Sequence, residues 1–479
     1  MSSHEKLSKG FPKSGTDWKS INGKPYITVS AKGRSNGLST KINDGADFGP
    51  DTTLNATSPS QTGASYTQTS GIQEAINYVY NNGGGRVFLR NGTYKLNMSQ
   101  LTQGVNIHAA ILIPPTVAMN PIIPIIIEGE SSLLGIYENG PISIPPQLPN
   151  VAGGVIIDGS SLPNNFPFSS SVYAIIGGDY YTTSPLTMSA TEVIIKNIYV
   201  IAPPAPTLSA GIYLYNTQSA EVNNVIVGVL TNSLGTITEP STTLNYTPVG
   251  LYMPGTSNNG KSNATNIMIF GWSTGMWIST HFVGNNIFIA YCIYALYRET
   301  SAHAAYIGYV DIEDCQYIFA TNNAYTQIEL LDIQYVNDST MWTNYSGFTT
   351  AISGLIHIKN IHIIESAVGS QPFSSYILGS VATSPYLIID NFSTGLTQPS
   401  TPSVPTSGTA QQNTNPYPVN VYLYGGTVTE IQLTRNGTAY TVFSNATGLA
   451  LSGQVYKLNP SDSITITYTS APTWEWLSD

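Results

Sequence analysis

"NIMIFGWSTGMWI" (266–278) returns twenty residues later as "NIFIAYCIYALYR" (286–298). "YIGYVDIEDCQYIF" follows from Tyr306, another twenty residues on, and "QIELLDIQYV" from Gln327, after twenty-one. Each copy opens polar and then sets residues at alternating positions: Ile267 and Ile269, Ile287 and Ile289, Ile307 and Tyr309, Ile328 and Leu330. Alternation with period two is how a half-buried strand reads. A second strand follows in each copy, with columns Met276 and Ile278, then Leu296, then Ile318. Equal spacing of both strands is what stacked coils require.

Looser copies lie upstream at "TEVIIKNIYVI" (191–201) and "AEVNNVIVGVL" (220–230), and downstream at "GLIHIKNIHII" (354–364) and "SPYLIIDNF" (384–392). No helix-length periodic segment interrupts them, which excludes a doubly wound sheet with crossover helices. Each coil must then lie on the previous one, roughly 4.8 Å away. Residues 100–393 would supply about thirteen coils, a rod on the order of 60 Å long.

One stretch breaks the pattern. In "IQEAINYVYNNGGGRVFLRNGTYKL" (72–96), Ile72, Ala75, Ile76, Val79 and Tyr80 recur at helical steps, and Gly83, Gly84 and Gly85 end the helix. Val87, Leu89 and Tyr94 then alternate as in a strand. A single early helix in an all-strand solenoid predicts a plug over its otherwise exposed apolar bore and unpaired strand edges.

The segments "DGADFGPDTT" (44–53), "IQEAI" (72–76), the "GGG" (83–85) and "VFLRNGTY" (87–94) together resemble the opening of right-handed parallel β-helix proteins of the pectate-lyase-like superfamily, which includes polysaccharide lyases, glycoside hydrolases and viral tailspikes. One departure is a polar loop inserted before the helix, from about residue 50 to 70. The resemblance implies an all-β fold: a right-handed parallel β-helix with an N-terminal capping helix. The division expected is a basic arm (1–41), a cap (42–99), the β-helix (100–393), a Pro/Ser/Thr linker (394–418) and a small β-sandwich (419–479). The last follows from runs alternating on both sides of Asn436-Gly437, a strong hairpin signal, and from "SITITYT" (463–469). In texture this module is similar to terminal β-modules of viral fibre and extracellular proteins from heat- and acid-loving archaea.

Composition narrows the setting. Only 9% of the 479 residues are charged, against about 25% in ordinary soluble proteins. Solubility rests on hydroxyls and amides, a surface that tolerates acid. Ten Asn-x-Ser/Thr sequons suit an outward-facing protein, or follow by chance from the abundance of Asn, Ser and Thr. Cys292 and Cys315 do not make a disulfide framework, although one bridge is open to them. The amino terminus has no apolar core of a secretory signal. The most apolar run (109–127) carries Pro114, Pro115, Pro121 and Pro124, so no membrane span is expected. Residues 1–41 hold eight of the seventeen Lys and Arg and two acids, a net charge of +6, leaving −16 for the rest of a chain at −10. Such an arm can dock on an acidic particle surface or be a solvated tail; nothing in it signals nucleic-acid binding.

Coil spacing also converts into neighbours. An offset of twenty-one stacks Asp311 on Asp332 and Glu313 on Gln334, with Asp314 and Glu329 beside them. Glycoside hydrolysis needs one protonated and one ionised carboxyl group. A stacked Asp311 and Asp332 would lie roughly 5 Å apart, and Asp311 and Glu313 about 6.5–7 Å, so retaining and inverting routes both stay open. Asp311, Glu313 and Asp332 are therefore the catalytic candidates. Asp314 and Glu329 are the candidates for a hard cation such as Ca²⁺, which many members of the superfamily hold; solvated turn residues are the alternative for all five. Ten aromatics crowd residues 270–309. Among them Trp272, Trp277, Tyr291, Tyr294, Tyr297 and Tyr309 are candidates for stacking on sugar rings, or else for packing inside the solenoid.

Against catalysis, the Asn-Thr-Asp, Asp-Asp and Gly-His-Gly strings of polygalacturonase-like enzymes are absent, and Arg298 is the only arginine in the solenoid proper. His357 and His362, five apart, point to opposite faces and cannot share a metal, whereas His281 and His303 fall in one turn column. The expected protein is a virion spike or tail-fibre-type protein: its arm on other virion proteins, its partner a host-surface polysaccharide or glycoprotein glycan, its location extracellular. The resemblance implies a homotrimer. A secreted glycoside hydrolase and a surface-layer structural protein are the alternatives.

Overall fold

The computed structural model describes residues 20–21, 24–32, 46–59, 61, 65–116, 122–131, 154–163, 172–183, 186–188, 191–204, 208–229, 248–254, 262–278, 281–298, 303–319, 324–335, 346–348, 354–365, 387–394, 401–415 and 418–478. The chain divides into two compact units, Met1–Tyr306 and Ile307–Asp479.

The first unit is a parallel β-solenoid built on two ladders. One runs through Lys24–Val29, Gly85–Leu89, Ile123–Gly129, Thr191–Ala202, Ser219–Val229, Ser262–Phe270 and Phe282–Ala290, each parallel to the next. The other runs through Ile107–Ile113, Val172–Gly178, Ala210–Tyr213, Val249–Tyr252, Thr274–Ile278 and Tyr294–Arg298. The repeat is realised in register, with Ile267 beside Ile287 and Met276 beside Leu296. Inward columns are continuous: Ile198, Val225, Ile267 and Ile287 adjoin one another and are all 0% exposed. Each such side chain contributes about 1.5–3 kcal/mol by leaving water.

Asparagines turn the long strands. Asn197, Asn224, Asn266 and Asn286 adopt left-handed φ of 57°, 53°, 53° and 53°, a conformation Asn reaches at little cost. Their side-chain amides form a ladder: Asn286 Nδ2 donates to Asn266 Oδ1 at 2.8 Å, Asn266 to Asn224 at 2.9 Å, and Asn224 to Asn197 at 3.0 Å. Each bend is thus secured by its neighbour.

The expected plug is present. Ile72–Asn81 is a helix whose Ile72, Ala75, Ile76 and Val79 are 0% exposed. The Gln73 amide pairs with the main chain of Leu112, donating from Nε2 to its carbonyl at 2.8 Å and accepting its N–H on Oε1 at 2.6 Å. It supplies to the strand Ile107–Ile113 what another strand would have supplied. The inserted polar loop is tied to the helix by buried Glu74, which accepts from the Thr67 hydroxyl at 2.6 Å and the Asn55 N–H at 3.3 Å. Gly85, at φ 151°, lets Pro25 approach: a Cβ there would lie 2.3 Å from the Pro25 carbonyl oxygen.

One boundary is corrected here. Residues 24–29 of the expected arm form a solenoid strand, because Ile27 and Val29 alternate inward and are 0% exposed. Residues 1–19 and 33–41 lie outside the described residues. The apolar run near residue 110 is divided between strands Ile107–Ile113 and Ile123–Gly129. Among the described residues no helix is long and apolar enough to cross a membrane.

The second unit has its own parallel ladder. Thr326–Tyr335, Ile356–Glu365 and Leu387–Thr394 adjoin in that order, with Ile328 beside Ile358 and Ile358 beside Ile389. Coils here are therefore 30 and 31 residues long, beyond the twenty read upstream. Ala305–Glu313 precedes them in the chain. The amide ladder recurs, Asn391 Nδ2 donating to Asn360 Oδ1 at 3.1 Å.

This unit also holds a small antiparallel sheet domain of Ala410–Gln412, Val419–Arg435, Thr438–Leu458, Ser463–Ser470 and Thr473–Ser478. Asn436 and Gly437, at φ 49° and 76°, form the tight turn foreseen. Its five strands form one hydrogen-bonded sheet, with Gly425 and Gly426 at φ 63° and 69° within the long central strand: Val419–Tyr424 pairs with Thr473–Ser478, and Thr427–Thr434 with Ser463–Ser470. Within the stretch read as a linker, Ala410–Gln412 is a strand of this sheet and residues 401–408 are hydrogen-bonded to its strands. Trp474 Nε1 donates to the Pro402 carbonyl and the Tyr468 hydroxyl to that of Pro405, both at 2.7 Å. Proline lacks an N–H but keeps a good acceptor, so composition misleads.

Candidate functional site

The chemistry-bearing side chains of the second unit lie on the outer face of its parallel strands. Val310, Ile312, Ile328, Leu331 and Ile333 are 0% exposed and fill the interior, which turns Tyr309, Asp311, Asp332 and Gln334 outward to half-buried positions. The Tyr309 hydroxyl donates to Asp332 Oδ2 at 2.8 Å, and His362 Nδ1 lies 3.4 Å from Asp332 Oδ1. His362 is opposite Asp332 in the strand register. Gln334 Nε2 donates to Asp311 Oδ2 at 3.0 Å.

Electrostatics separates the acids. Burial, and then the negative charge of Asp332, push the Asp311 carboxyl up to about 6, against a weaker opposing pull from the Gln334 hydrogen bond. Glu313 is pushed up further, to about 8, by burial and then by Asp314 and Asp311. It is only 1% exposed, and its Oε1 has no hydrogen-bond partner among the described residues. Burial and the hydrogen bond to Asp332 raise Tyr309 well above the ordinary phenol range. Asp311 Oδ1 is likewise buried and without a partner among the described residues.

A second array stands on the same three strands. Tyr325 Oη donates to Gln327 Oε1 at 2.8 Å, and Gln327 Nε2 to Glu329 Oε1 at 2.7 Å; Lys359 Nζ reaches the same Glu329 oxygen at 2.8 Å. His357 Nε2 is 2.8 Å from Asp390 Oδ2, and Gln327, His357 and Ile388 form one column of the register. These groups reach solvent, with side-chain exposures from 24% for His357 to 46% for Asp390. The face presents carboxylates, amide, imidazoles, ammonium and phenol in a pre-linked network. Such groups recognise polyhydroxylated surfaces through multiple hydrogen bonds, several of them charge-assisted.

The sequence candidates divide. Asp311 and Asp332 interact, with Tyr309 attached. Glu313 is sealed inside and cannot meet a substrate. Asp314 is buried, while Glu329 is engaged by Gln327 and Lys359, and no group of three or more ligating side chains converges on a metal position among the described residues. Trp272 is 0% exposed and donates to the Val227 carbonyl, and Tyr291 is 7% exposed; both belong to the core. Tyr294 is half-buried.

Trp277 and Tyr297 do stack, with ring centroids 3.6 Å apart, and Tyr252 extends the stack at 4.5 Å from Trp277. Trp277 is thus covered on both ring faces by its neighbours. His281 and His303 stack at 4.6 Å. Cys292 and Cys315 are buried and form no disulfide, their thiols donating to the Ala290 and Glu313 carbonyls, and Arg298 is fully buried, donating to the His303 carbonyl. Lys359 and Tyr252 escaped the sequence reading; Gln334, expected beside Glu313, bonds Asp311 instead, and His357 and His362, expected on opposite faces, both reach the outer one, because the inward residues of their strand run Ile356, Ile358, Ile361 and so break the period of two. A thirty-residue step from Asp332 reaches His362, but only if the coil length is allowed to grow.

No protein-family model matches the chain, and no curated protein matches it.

Proposed function

We propose that the chain is a glycan-recognising spike or fibre-type protein, and that the outer face of Thr326–Tyr335, Ile356–Glu365 and Leu387–Thr394 contacts a host-surface polysaccharide or glycoprotein glycan. The observation that carries this reading is the solvent-reaching chain Tyr325–Gln327–Glu329–Lys359 beside Asp332–His362 and His357–Asp390. Pre-linked polar groups lose little further freedom on binding, which favours a ligand made of hydroxyls. The virion setting is supported by the capped solenoid, the low charge content and the arm of net +6. Affinity electrophoresis through gels cast with neutral and anionic envelope polysaccharides tests the reading. Retarded migration of the chain, reduced for Lys359→Ala, is expected; migration unaffected by every polymer would overturn it.

A specific observation favours a second reading, glycoside hydrolysis: Asp311 is held protonated to about pH 6 beside Asp332, which is bound by Tyr309. Asp311 would give its proton to the glycosidic oxygen as the bond to the anomeric carbon breaks. Asp332, which accepts from the Tyr309 hydroxyl, would act at that carbon directly or through water. Because Asp311 Oδ1 is buried, the carboxyl must turn outward to act. New reducing ends released by the unsubstituted protein and not by Asp311→Asn would support hydrolysis; equal release by both excludes it at this pair.

A further inference from the structure

The C-terminal sheet carries two of the ten Asn-x-Ser/Thr sequons on one hairpin, Asn436-Gly437-Thr438 and Asn445-Ala446-Thr447. The first is the exposed tight turn itself, with Asn436 at φ 49°. The second stands out of the sheet. Ser444 is opposite Glu430 and Leu449 opposite Val428, so residues 445–448 face the single Thr429 and bulge from the ladder. Gly448, at φ 77°, makes the bulge possible, since a Cβ there would lie 2.5 Å from the Thr427 methyl. Within the bulge Asn445 Oδ1 accepts the Thr447 N–H at 3.1 Å and its hydroxyl at 2.9 Å. This brings together the two side chains a sequon requires, and leaves the Asn445 amide nitrogen without a partner among the described residues.

Other sequons are engaged by the fold. Asn391 Nδ2 donates to Asn360 in the amide ladder at 3.1 Å, and Asn91 Nδ2 to the Ser131 hydroxyl at 2.8 Å, so a sugar joined at either nitrogen competes with a bond the solenoid uses. Asn263 lies half-buried within a strand, its Oδ1 buried. Asn55 and Asn97 are exposed singly on the first unit, and Asn245, Asn337 and Asn344 lie outside the described residues. The hairpin, in contrast, has an edge to protect. Thr438–Leu458 is the terminal strand of its sheet, and Tyr440, Val442 and Leu449, on either side of Asn445, are 53%, 44% and 46% exposed. An uncovered apolar edge recruits other chains, and a bulky, hydrated substituent prevents that approach.

We propose that Asn436 and Asn445 are N-glycosylated and that their glycans shield the edge strand Thr438–Leu458. Each Nδ2 forms a bond to the anomeric carbon of a polyprenyl-phosphate-linked oligosaccharide as that carbon's bond to the phosphate oxygen breaks. The lipid phosphate leaves with the electron pair, and the amide gives up one proton. The inference is independent of the recognition face and requires only an exported chain. Full-length protein secreted from a eukaryotic host is treated with peptide N-glycosidase in heavy-oxygen water, and the heavy aspartate left at each glycosylated position is mapped by mass spectrometry. Label at Asn436 and Asn445, and little at Asn91, Asn263 and Asn391, is expected. A second sample is trimmed, still folded, by an endoglycosidase that leaves one sugar at each site. Tyr440 should then be oxidised faster by hydroxyl radicals, with the circular dichroism spectrum unchanged. Label absent from either hairpin asparagine, label as heavy at Asn391 as at Asn445, or Tyr440 oxidised at one rate before and after trimming would overturn the proposal.

Discussion

Glu313→Gln should stabilise the protein at neutral pH and leave it unchanged in acid. Glu313 is 1% exposed, and its carboxyl is raised from 4.5 to about 8 by burial and by Asp314 and Asp311. The folded chain therefore holds a proton that the unfolded chain releases above the lower value. Stability from this group is complete below about 4.5 and is lost as the pH climbs towards about 8. Each pH unit in that window removes about 1.4 kcal/mol, so the deficit at about pH 7 amounts to about 3 kcal/mol. Glutamine keeps the size and never needs the proton. Any packing cost of the amide appears at both pH values, so the change between them isolates the proton. The assay is urea unfolding by circular dichroism at about pH 4 and about pH 7, where the variant should gain about 3 kcal/mol over the unsubstituted protein only at the higher value. An equal difference at both would refute the assignment of a neutral, buried Glu313.

Other outcomes follow from the ladders and the plug. Asn266→Ala loses two ladder bonds and puts a Cβ-bearing residue without a local hydrogen bond at φ 53°; it should cost about 2–3 kcal/mol by urea midpoint, and Asn266→Gly, free of the backbone strain, about 1 kcal/mol less. Gln73→Ala strands the N–H and carbonyl of Leu112 at the plug and should lower stability by about 1–3 kcal/mol, with faster amide exchange in Ile107–Ile113. Lys359→Ala removes a partner of Glu329 on an exposed face; it should change the urea midpoint by less than about 1 kcal/mol while weakening polysaccharide retention.

The solenoid was legible because its determinant is local and repeated. Ile267 and Ile287 announce their stacking through a fixed step of twenty, and Gln73 and Gly85 sit in a recognisable opening. The Asn ladder was equally present in the letters at Asn266 and Asn286, yet period-two reasoning looks past a residue that breaks the period. The site was only half legible. Asp311 and Asp332 follow from the step, but His362 and Lys359 sit on a coil lengthened to thirty residues, and no local rule fixes insertion length. Trp272 and Tyr291 failed as sugar contacts for a different reason: aromatic density does not say which way a ring points. Trp272 points inward, where its N–H meets the Val227 carbonyl.

Footprinting is the most direct test of the recognition face. The protein is exposed to hydroxyl radicals with and without an envelope polysaccharide that retards it, and side-chain oxidation is mapped by mass spectrometry. Protection concentrated at Tyr325, His357, Lys359 and His362, and diminished in the Lys359→Ala variant, is the predicted result. Protection confined to other parts of the chain, with these four oxidised or labelled to the same extent in both samples, would contradict it.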